Sequence, residues 1–340
     1  MRRSLYALIA ILLISDSLPG KGEMDRQAVL ALFREDKYEE LDKTADAYRS
    51  ETLSVHNYHS NIERFYAACE PTSQDSDDIW NSYRTKLENW QKARPTSVAV
   101  YIELARFYLA KGFRARGKGR ADEVTADGWK ELNLGLDNAQ DRLHNAELID
   151  EKDPEIYRLW LKVALGAGWA KDKVEQYYQR GIAVQRFYYP LYLAKADYLL
   201  PRWFGRPGEV ESFADDEAAK LGGEDGDALY AVIATEVASV EGVRFLNTTN
   251  FSWDRLKRGL IAVAKNANDL STRRQGINQL LYFALIAGDF DSASAVLDSW
   301  NSNSLDAQIW GSNMTINDLR DIIATAKHAK TGKKPANQNP

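Results

Sequence analysis

The segment from Lys111 to Arg120 is the strongest candidate for binding an anion. It carries five cations and three glycines in ten residues, and such a cluster suits a phosphate, an anionic glycan or a membrane surface. Its spacing and the missing Ser or Thr exclude a nucleotide-binding P-loop. A flexible, solvated loop between two long helices explains the same composition, so both interpretations stay open. The candidate anion-binding residues are Lys111, Arg114, Arg116, Lys118 and Arg120.

A second candidate site lies where aromatic residues, prolines and arginines crowd residues 187–206. Pro201 is expected to end a helix there. As a docking surface, this bend would stack Trp203 on a partner and pair an arginine with an acid. Alternatively, Trp203 and Phe204 fill the joint between two helical hairpins, and the arginines form structural salt bridges with nearby glutamates. The candidate partner-binding residues are Tyr189, Arg202, Trp203 and Arg206.

Residues that would carry catalysis or bind a metal are sparse. His56, His59 and Glu63 have a spacing that would place them on one face of a helix, where they could hold zinc. No HExxH motif or second ligand cluster accompanies them, so we expect no metal and no cofactor. Ser/His/Asp and Cys/His catalysis have no local signature, and the single cysteine, Cys69, has the character of a small buried helix residue. We therefore expect a protein that is not an enzyme.

Residues 1–20 have the pattern of a targeting segment. Arg2 and Arg3 supply positive charge, residues 5–14 form an uninterrupted apolar run, and Ser15 and Ser17 provide small side chains for cleavage after Ser17. The run is shorter than the roughly twenty apolar residues that span a bilayer. We predict a signal peptide and a periplasmic or secreted protein. An uncleaved N-terminal membrane anchor is the alternative.

Composition and charge indicate a folded, soluble protein. The chain of 340 residues contains 44% hydrophobic and 27% charged residues, which is typical of globular domains. The formal net charge is -5, so the sequence does not indicate the uniformly basic face that nucleic acid would require, and we expect no nucleic-acid partner. One cysteine forms no intrachain disulfide, and a chain of this length can bury a core that does without one.

Helical periodicity dominates from about residue 24 to residue 328 and predicts an all-α fold. Short breaks rich in Gly, Pro, Asp and Asn separate the helices at residues 35–37, 94–96, 152–154, 221–223 and 288–289. Breaks this short favour antiparallel packing of consecutive helices. One helical-repeat domain over residues 24–328 is predicted, with a subdivision near residues 222–226. Residues 329–340 read as a flexible basic tail.

Several helix pairs follow the spacing of tetratricopeptide repeats. Tyr101, Leu104, Ala105 and Tyr108 match the first helix of such a repeat, and residues 139, 143 and 146 match the small-large-small pattern of the second. Small residues let paired helices approach closely, and large ones fill the space between hairpins. The pattern predicts a tetratricopeptide-like α-solenoid of antiparallel hairpins.

The most distinctive stretches are residues 187–213, FYYPLYLAKADYLLPRWFGRPGEVESF, and residues 32–50, LFREDKYEELDKTADAYRS. They resemble a bacterial family catalogued as domain of unknown function 4034. The resemblance extends over most of the mature chain and is weakest from residue 237 to residue 268. It implies a helical, tetratricopeptide-like domain in exported or cytoplasmic bacterial proteins, and it implies no activity.

Two functions from different classes follow from these observations. The first is an exported helical-repeat protein that binds or scaffolds a protein or peptide along a concave face. The second is a glycan-binding or glycan-processing protein, because nine tryptophans and seventeen tyrosines offer rings that could stack on sugars. A peripheral contact with a membrane or an anionic glycan is compatible with either. A deep pocket with exposed rings and converging carboxylates would favour the second function.

Overall fold

The computed structural model describes residues 26–299, 305–311 and 313–331. Every regular element in these ranges is a helix, so the predicted all-α class is confirmed. The stacking of hairpins into a solenoid stays a prediction. The predicted signal peptide, residues 1–20, lies outside the described residues. None of the described helices has both the length and the hydrophobicity needed to cross a membrane.

The chain divides into two compact units, the first ending at Arg206 and the second beginning at Pro207. The helices of the first unit are α1 Arg26–Arg34, α2 Tyr38–Arg49, α3 Asn61–Ala68, α4 Asp77–Ala93, α5 Val98–Arg116, α6 Ala126–Ile149, α7 Pro154–Ala167, α8 Lys171–Val184 and α9 Pro190–Tyr198. A short 3₁₀ turn, Ala121–Glu123, lies between α5 and α6.

The helices of the second unit are α10 Glu209–Leu221, α11 Gly223–Glu241, α12 Phe245–Thr248, α13 Trp253–Asn266, α14 Leu270–Ile286, α15 Phe290–Asp298, α16 Ala307–Trp310 and α17 Ile316–Thr331, with a 3₁₀ turn at Gly242–Arg244. We expected a subdivision near residues 222–226, but those residues lie within this unit. Gly226 explains why: a Cβ atom there would lie 2.3 Å from the carbonyl oxygen of Ala218, so α10 and α11 pack tightly together. The predicted tail begins at residue 329, where α17 still continues; residues 332–340 lie outside the described residues.

The predicted breaks between helices are confirmed, and side-chain caps explain several of them. The Asp289 carboxylate accepts a hydrogen bond from the backbone N–H of Ser292 at 3.1 Å, and α15 begins there. The Ser97 hydroxyl likewise accepts from the backbone N–H of Val100 at 3.2 Å at the start of α5. Each cap satisfies a backbone donor that the first turn of a helix leaves without a partner.

The pair formed by α5 and α6 shows how the predicted small residues act. Ala139, Leu143 and Ala146 of α6 are fully buried. A Cβ atom at Gly135 would lie only 2.6 Å from the carbonyl oxygen of Tyr108. The two backbones therefore approach so closely that this position requires glycine. This pair positions most of the candidate site described below.

The two histidines considered for zinc do not lie on a helix. His56 and His59 belong to the irregular segment before α3, which begins only at Asn61. The Ser60 hydroxyl accepts from the backbone N–H of Glu63 at 3.3 Å and thereby sets the start of that helix. The helical interpretation of this spacing is wrong, because a serine cap four residues beyond His56 competes with it.

Candidate functional site

A cleft of about 1620 Å³ opens in the first unit. The C-terminal end of α5, the connection to α6, the end of α7 and the segment after α9 all contribute to its walls. Its aromatic lining residues are Trp80, Phe113, Trp129, Trp203 and Phe204. Its charged lining residues are Glu70, Arg114, Arg116, Lys118, Arg120, Asp122 and Arg202. The basic segment and the aromatic bend, which are far apart in the sequence, therefore meet in one cleft, which we call the aromatic–arginine cleft.

Most of the predicted basic loop is helix. Helix α5 continues through Gly112 and ends at Arg116, so only residues 117–120 precede the 3₁₀ turn. Gly112 stays helical because it packs on α6, where a Cβ atom would lie 3.3 Å from the Cα atom of Leu132. Gly117 then ends the helix with φ 76°, and its N–H donates to the carbonyl of Phe113 at 3.0 Å. The expectation of a ten-residue flexible loop is thus wrong for its first six residues.

Arg114 has a structural partner. Its guanidinium forms a 2.6 Å ion pair with Asp77 and donates to the carbonyl oxygens of Ser73 at 3.3 Å and Asp75 at 3.2 Å. The hydrogen bond from Arg114 lowers the pKa of the Asp77 carboxyl group. Arg114 therefore holds residues 73–77 against α5 and forms part of the wall of the cleft. Its positive charge is largely neutralised by Asp77, so it attracts an anionic ligand only weakly.

Arg116 connects the two predicted sites. Its guanidinium carbon lies 5.5 Å from the ring centroid of Trp129 and 5.0 Å from that of Trp203. Nη1 donates to the carbonyl oxygens of Gly117 at 3.0 Å and Gly119 at 3.1 Å. The buried Nε atom has no hydrogen-bond partner among the described atoms. Cation–π contacts of this kind fix two tryptophan rings around one positive charge.

The other three predicted cations differ in position. Lys118 and Arg120 are exposed and line the cleft. The Arg120 Nε atom lies 3.6 Å from Asp122 Oδ1, and both side chains are largely in solvent, so this pair contributes little to stability. Lys111 is half-buried on α5 and is not among the residues that line the cleft.

The segment after α9 presents Trp203 in a fixed bend. The N–H of Trp203 donates to the carbonyl of Leu200 at 2.9 Å. Phe204 stacks on Tyr198 with the ring centroids 4.9 Å apart. Any side chain at Gly205 would collide with Leu199, whose carbonyl oxygen would lie 1.7 Å from the Cβ atom. These contacts hold the Trp203 ring half-buried at the edge of the cleft.

Two residues predicted for partner binding do not line the cleft. Tyr189 is 2% exposed, stacks on Tyr58 at 5.5 Å and donates its hydroxyl hydrogen to the carbonyl of Val55 at 2.6 Å. A ring enclosed in this way offers no surface to a partner, so Tyr189 belongs to the core. Arg206 is exposed but is not among the residues that line the cleft. Of the predicted docking residues, Arg202 and Trp203 remain in the candidate site.

A buried ion network lies beneath the cleft and was not predicted from the sequence. Glu155 is 1% exposed and accepts from Arg106 at 2.5 Å, from Arg158 twice at 2.6 Å, and from the Tyr188 hydroxyl at 2.6 Å. Burial alone would raise the pKa of this carboxyl group, but the two arginines outweigh it and lower the pKa to about 2. Arg106 also pairs with Glu70, which lines the cleft.

Glu103 is buried in the same region, but its pKa is shifted in the opposite direction from that of Glu155. It is 3% exposed, accepts from the Tyr83 hydroxyl at 2.9 Å, and lies 3.9 Å from the Nε atom of Arg106. Burial raises the pKa of its carboxyl group to about 8. Burial also raises the pKa of the neighbouring Cys69 thiol to about 12, so that thiol is protonated at neutral pH.

The cleft combines aromatic surface with an excess of positive charge. Five cations and two carboxylates line it; Arg114 is paired with Asp77, Arg120 lies near Asp122, and Glu70 is paired with Arg106, so the excess comes from Arg116, Lys118 and Arg202. Such a lining suits an anionic ligand that also carries apolar groups. Within the described residues, no group of three or more His, Cys, Asp and Glu side chains is arranged to hold a metal ion.

Comparison with known proteins gives one match. The family model described as Domain of unknown function (DUF4034) matches residues 25–151. This range includes residues 32–50, on which the predicted resemblance partly rests, whereas residues 187–213 lie beyond it. No curated protein and no solved structure matches the chain. The matched range contains one wall of the cleft, with Trp80, Arg116 and Trp129.

Proposed function

We propose that this chain, whose residues 25–151 belong to the family described as Domain of unknown function (DUF4034), is a non-catalytic binding protein. In this proposal, the aromatic–arginine cleft holds an acidic segment of a partner protein. The observation that carries the proposal is the position of Arg116 between the rings of Trp129 and Trp203. Lys118 and Arg202 add positive charge to the same lining.

The size and the charge of the cleft support a peptide segment as the occupant. Pockets for small molecules are usually about 300–1,000 Å³, and this cleft, at about 1620 Å³, exceeds that range. A segment with alternating acidic and apolar side chains would place carboxylates near the cations and apolar groups on the rings of Trp129 and Trp203. Charge complementarity of this kind favours the correct partner and speeds its approach.

An anionic glycan is the second candidate, favoured by the aromatic rings in the lining. Half-buried tryptophans such as Trp129 and Trp203 could stack on sugar rings. Glycan processing has less support, because a pair of converging carboxylates would be expected for it. Only Glu70 and Asp122 supply carboxylates to the lining, and Glu70 is paired with Arg106.

The experiment that separates these candidates is calorimetric titration of the purified chain with three probes. The probes are an eight-residue peptide of alternating Glu and Leu, its Lys-Leu counterpart, and tetragalacturonate as an anionic glycan. We expect binding of the Glu-Leu peptide, weakened by added salt because the attraction is screened, and no binding of the Lys-Leu peptide. Binding of tetragalacturonate alone would replace the proposal with the second candidate.

A tryptophan pair provides the matched variants for this titration. Trp203→Ala should weaken binding of the Glu-Leu peptide by about tenfold, as expected for a central aromatic contact. Trp169→Ala is the control, because Trp169 is also half-buried in the first unit but is not among the residues that line the cleft. Equal losses in both variants would contradict a role for the cleft.

We also propose that the protein is exported. The pattern in residues 1–20 supports this proposal: two arginines, a short apolar run and small residues at a cleavage position. N-terminal sequencing of the protein recovered from the periplasm or the medium should begin after Ser17. Recovery of the intact N-terminus in a membrane fraction would indicate the alternative, an uncleaved anchor.

A further inference from the structure

A smaller chamber of about 370 Å³ adjoins the aromatic–arginine cleft. The two spaces share the lining residues Glu70, Ala110, Phe113, Leu165, Arg202 and Trp203. The two spaces therefore adjoin each other within the first unit, and we call the smaller one the inner chamber. The volume lies within the range of about 300–1,000 Å³ that is usual for small ligands.

The charges around the inner chamber favour an anion. Four cations line it: Arg106, Arg158, Lys162 and Arg202. The acidic lining residues are Glu70 and Asp197, and the buried Glu155 lies behind them with Arg106 and Arg158. Four cations thus face three carboxylates, and a ligand carboxylate would balance the excess.

The cations differ in whether a carboxylate of the protein already pairs with them. Arg158 is bound twice by Glu155 at 2.6 Å, and Lys162 is paired with Asp197. Arg202 is exposed at the junction of the two spaces, and among the described residues its side chain forms neither a hydrogen bond nor an ion pair. An arginine of this kind is available to bind a carboxylate with two parallel hydrogen bonds.

The walls between these charges are apolar. Leu109, Phe113, Leu159 and Leu165 line the inner chamber together with the charged groups. A carboxylate on a short aliphatic stem would place its methylene groups against these walls and its charge near the cations. Among amino-acid side chains, glutamate has this form.

We propose that the inner chamber is a subsite for a single glutamate side chain of the bound peptide, with Arg202 binding its carboxylate at the entrance. This inference rests on the proposed function, because it assigns one part of the same peptide to one part of the same site. Arg106, Arg158 and Lys162 are balanced by Glu70, Glu155 and Asp197, so the uncompensated positive charge at this site is that of Arg202.

The test compares two peptides on two variants of the full chain. The Glu-Leu peptide and its neutral Gln-Leu counterpart are titrated against the wild type and Arg202→Met. We expect the wild type to prefer the Glu-Leu peptide by about tenfold or more, the value of one charge-assisted contact. Arg202→Met should lose most of this preference, and Arg202→Lys should restore part of it.

Lys152→Met is the control, because Lys152 is an exposed cation of the first unit that lines neither the cleft nor the inner chamber. It should keep the preference for the Glu-Leu peptide. Circular dichroism checks that each variant folds, which we expect because both side chains are exposed. A loss in Lys152→Met as large as in Arg202→Met would overturn the subsite and indicate a general attraction of charges.

The outcomes of this titration distinguish a failure of the glutamate subsite from a failure of the proposed function. If the wild type binds both peptides equally, the glutamate subsite and the preference for an acidic segment are both wrong, and only binding of a peptide stands. If the wild type binds neither peptide, or only tetragalacturonate, both proposals are wrong. A preference for the Glu-Leu peptide that survives in Arg202→Met would contradict the subsite alone.

Discussion

The two units differ in what fills their cores. The largest fully buried side chains of the first unit are mostly rings, among them Trp90, Trp160 and Tyr188, and the carboxylates of Asp153 and Glu155 are buried as well. The core of the second unit relies more on small residues, with Ala231 and many other alanines buried along its helices. The first unit thus buries more rings and charged groups, and the second buries more alanines, although the α5–α6 pair of the first unit also brings two backbones close together.

This difference explains where the candidate site lies. Buried charges need partners, and the ion network around Glu155 supplies them while also forming the floor of the inner chamber. Small residues instead let helices close on each other. A Cβ atom at Gly259 of α13 would lie 2.0 Å from the carbonyl oxygen of Asp227 on α11. Packing of that kind stabilises a fold and leaves little space between its helices.

The largest effect is expected from removing the buried charge of the first unit. Glu155→Gln should lower the free energy of unfolding by about 4 kcal/mol, because Arg106 and Arg158 would lose their shared carboxylate. Urea unfolding followed by circular dichroism measures this loss. Asp227→Asn is the control in the second unit. It removes the partly exposed partner of Arg255 and Arg258 and should cost less, about 1 kcal/mol. Equal costs would contradict the contrast between the units.

The next largest effect is expected in the second unit. Gly259→Ala should lower the free energy of unfolding by about 3 kcal/mol, because the added methyl group has no space beside Asp227. In an uncrowded helix the same change would raise the free energy of unfolding by about 1 kcal/mol. The direction of the change therefore shows whether α11 and α13 are in close contact at this position. Gly288→Ala is the comparison: no described atom lies within 4 Å of its Cβ position, and its φ of 66° should cost about 1 kcal/mol.

The two units should also respond to opposite ends of the pH scale. In the first unit, burial raises the pKa of Glu103 from 4.5 to about 8. The folded state therefore retains a proton that the unfolded state releases, and stability falls as pH rises between these values. Between pH 6 and pH 8 we expect a loss of about 2 kcal/mol in the wild type. Urea unfolding at both pH values should show a smaller loss in Glu103→Gln.

Asp289 provides the opposite case in the second unit. Burial opposes its ionisation, but hydrogen bonds from Ser292, Lys257 and Trp253 outweigh burial and lower its pKa from 3.8 to about 2. Its contribution is present above pH 3.8 and is lost as pH falls toward 2. Asp289→Asn should therefore flatten the acid side of the stability curve and leave the loss of stability from pH 6 to pH 8 unchanged. An effect on the alkaline side would contradict this assignment.

The smallest effect on stability is expected at Trp203. Its ring is half-buried beside Arg116 at the edge of the cleft, so Trp203→Ala should lower the free energy of unfolding by about 1 kcal/mol or less. The sequence alone left open that this ring fills a joint between hairpins, which would cost about 3 kcal/mol or more. Thermal unfolding of this variant beside Trp160→Ala, a fully buried tryptophan of the same unit, distinguishes the two.

Local features of the fold were predictable from the sequence, because local residues determine them. The helix breaks at residues 35–37, 94–96 and 288–289 are confirmed, since glycines, prolines and capping side chains act within a few residues. His56 and His59 were misplaced because their spacing suits a helix, but Ser60 starts the helix after them. Arg116 was assigned to a loop because Gly112 and Gly117 look alike in the sequence, and only the contact of Gly112 with α6 keeps it helical.

The site was predictable only in parts. Trp203 and the basic segment were each identified, but nothing in the sequence shows that Arg116 and Trp203 meet. Tyr189 was included because it lies beside the aromatic bend in sequence, whereas its contacts with Val55 and Tyr58 bury it. The inner chamber was missed because its cations, such as Arg158, come from different helices. Helical spacing shows which residues share one face of a helix, but it does not show which faces of two different helices pack against each other.

Hydrogen exchange with and without the Glu-Leu peptide tests the central claim most directly. If the aromatic–arginine cleft binds acidic peptides, the peptide should slow amide exchange in residues 113–129 and 199–205. Exchange in the second unit, for example in α13 and α14, should remain unchanged. Protection confined to the second unit, or an unchanged pattern at a peptide concentration that calorimetry shows to be saturating, would contradict the account.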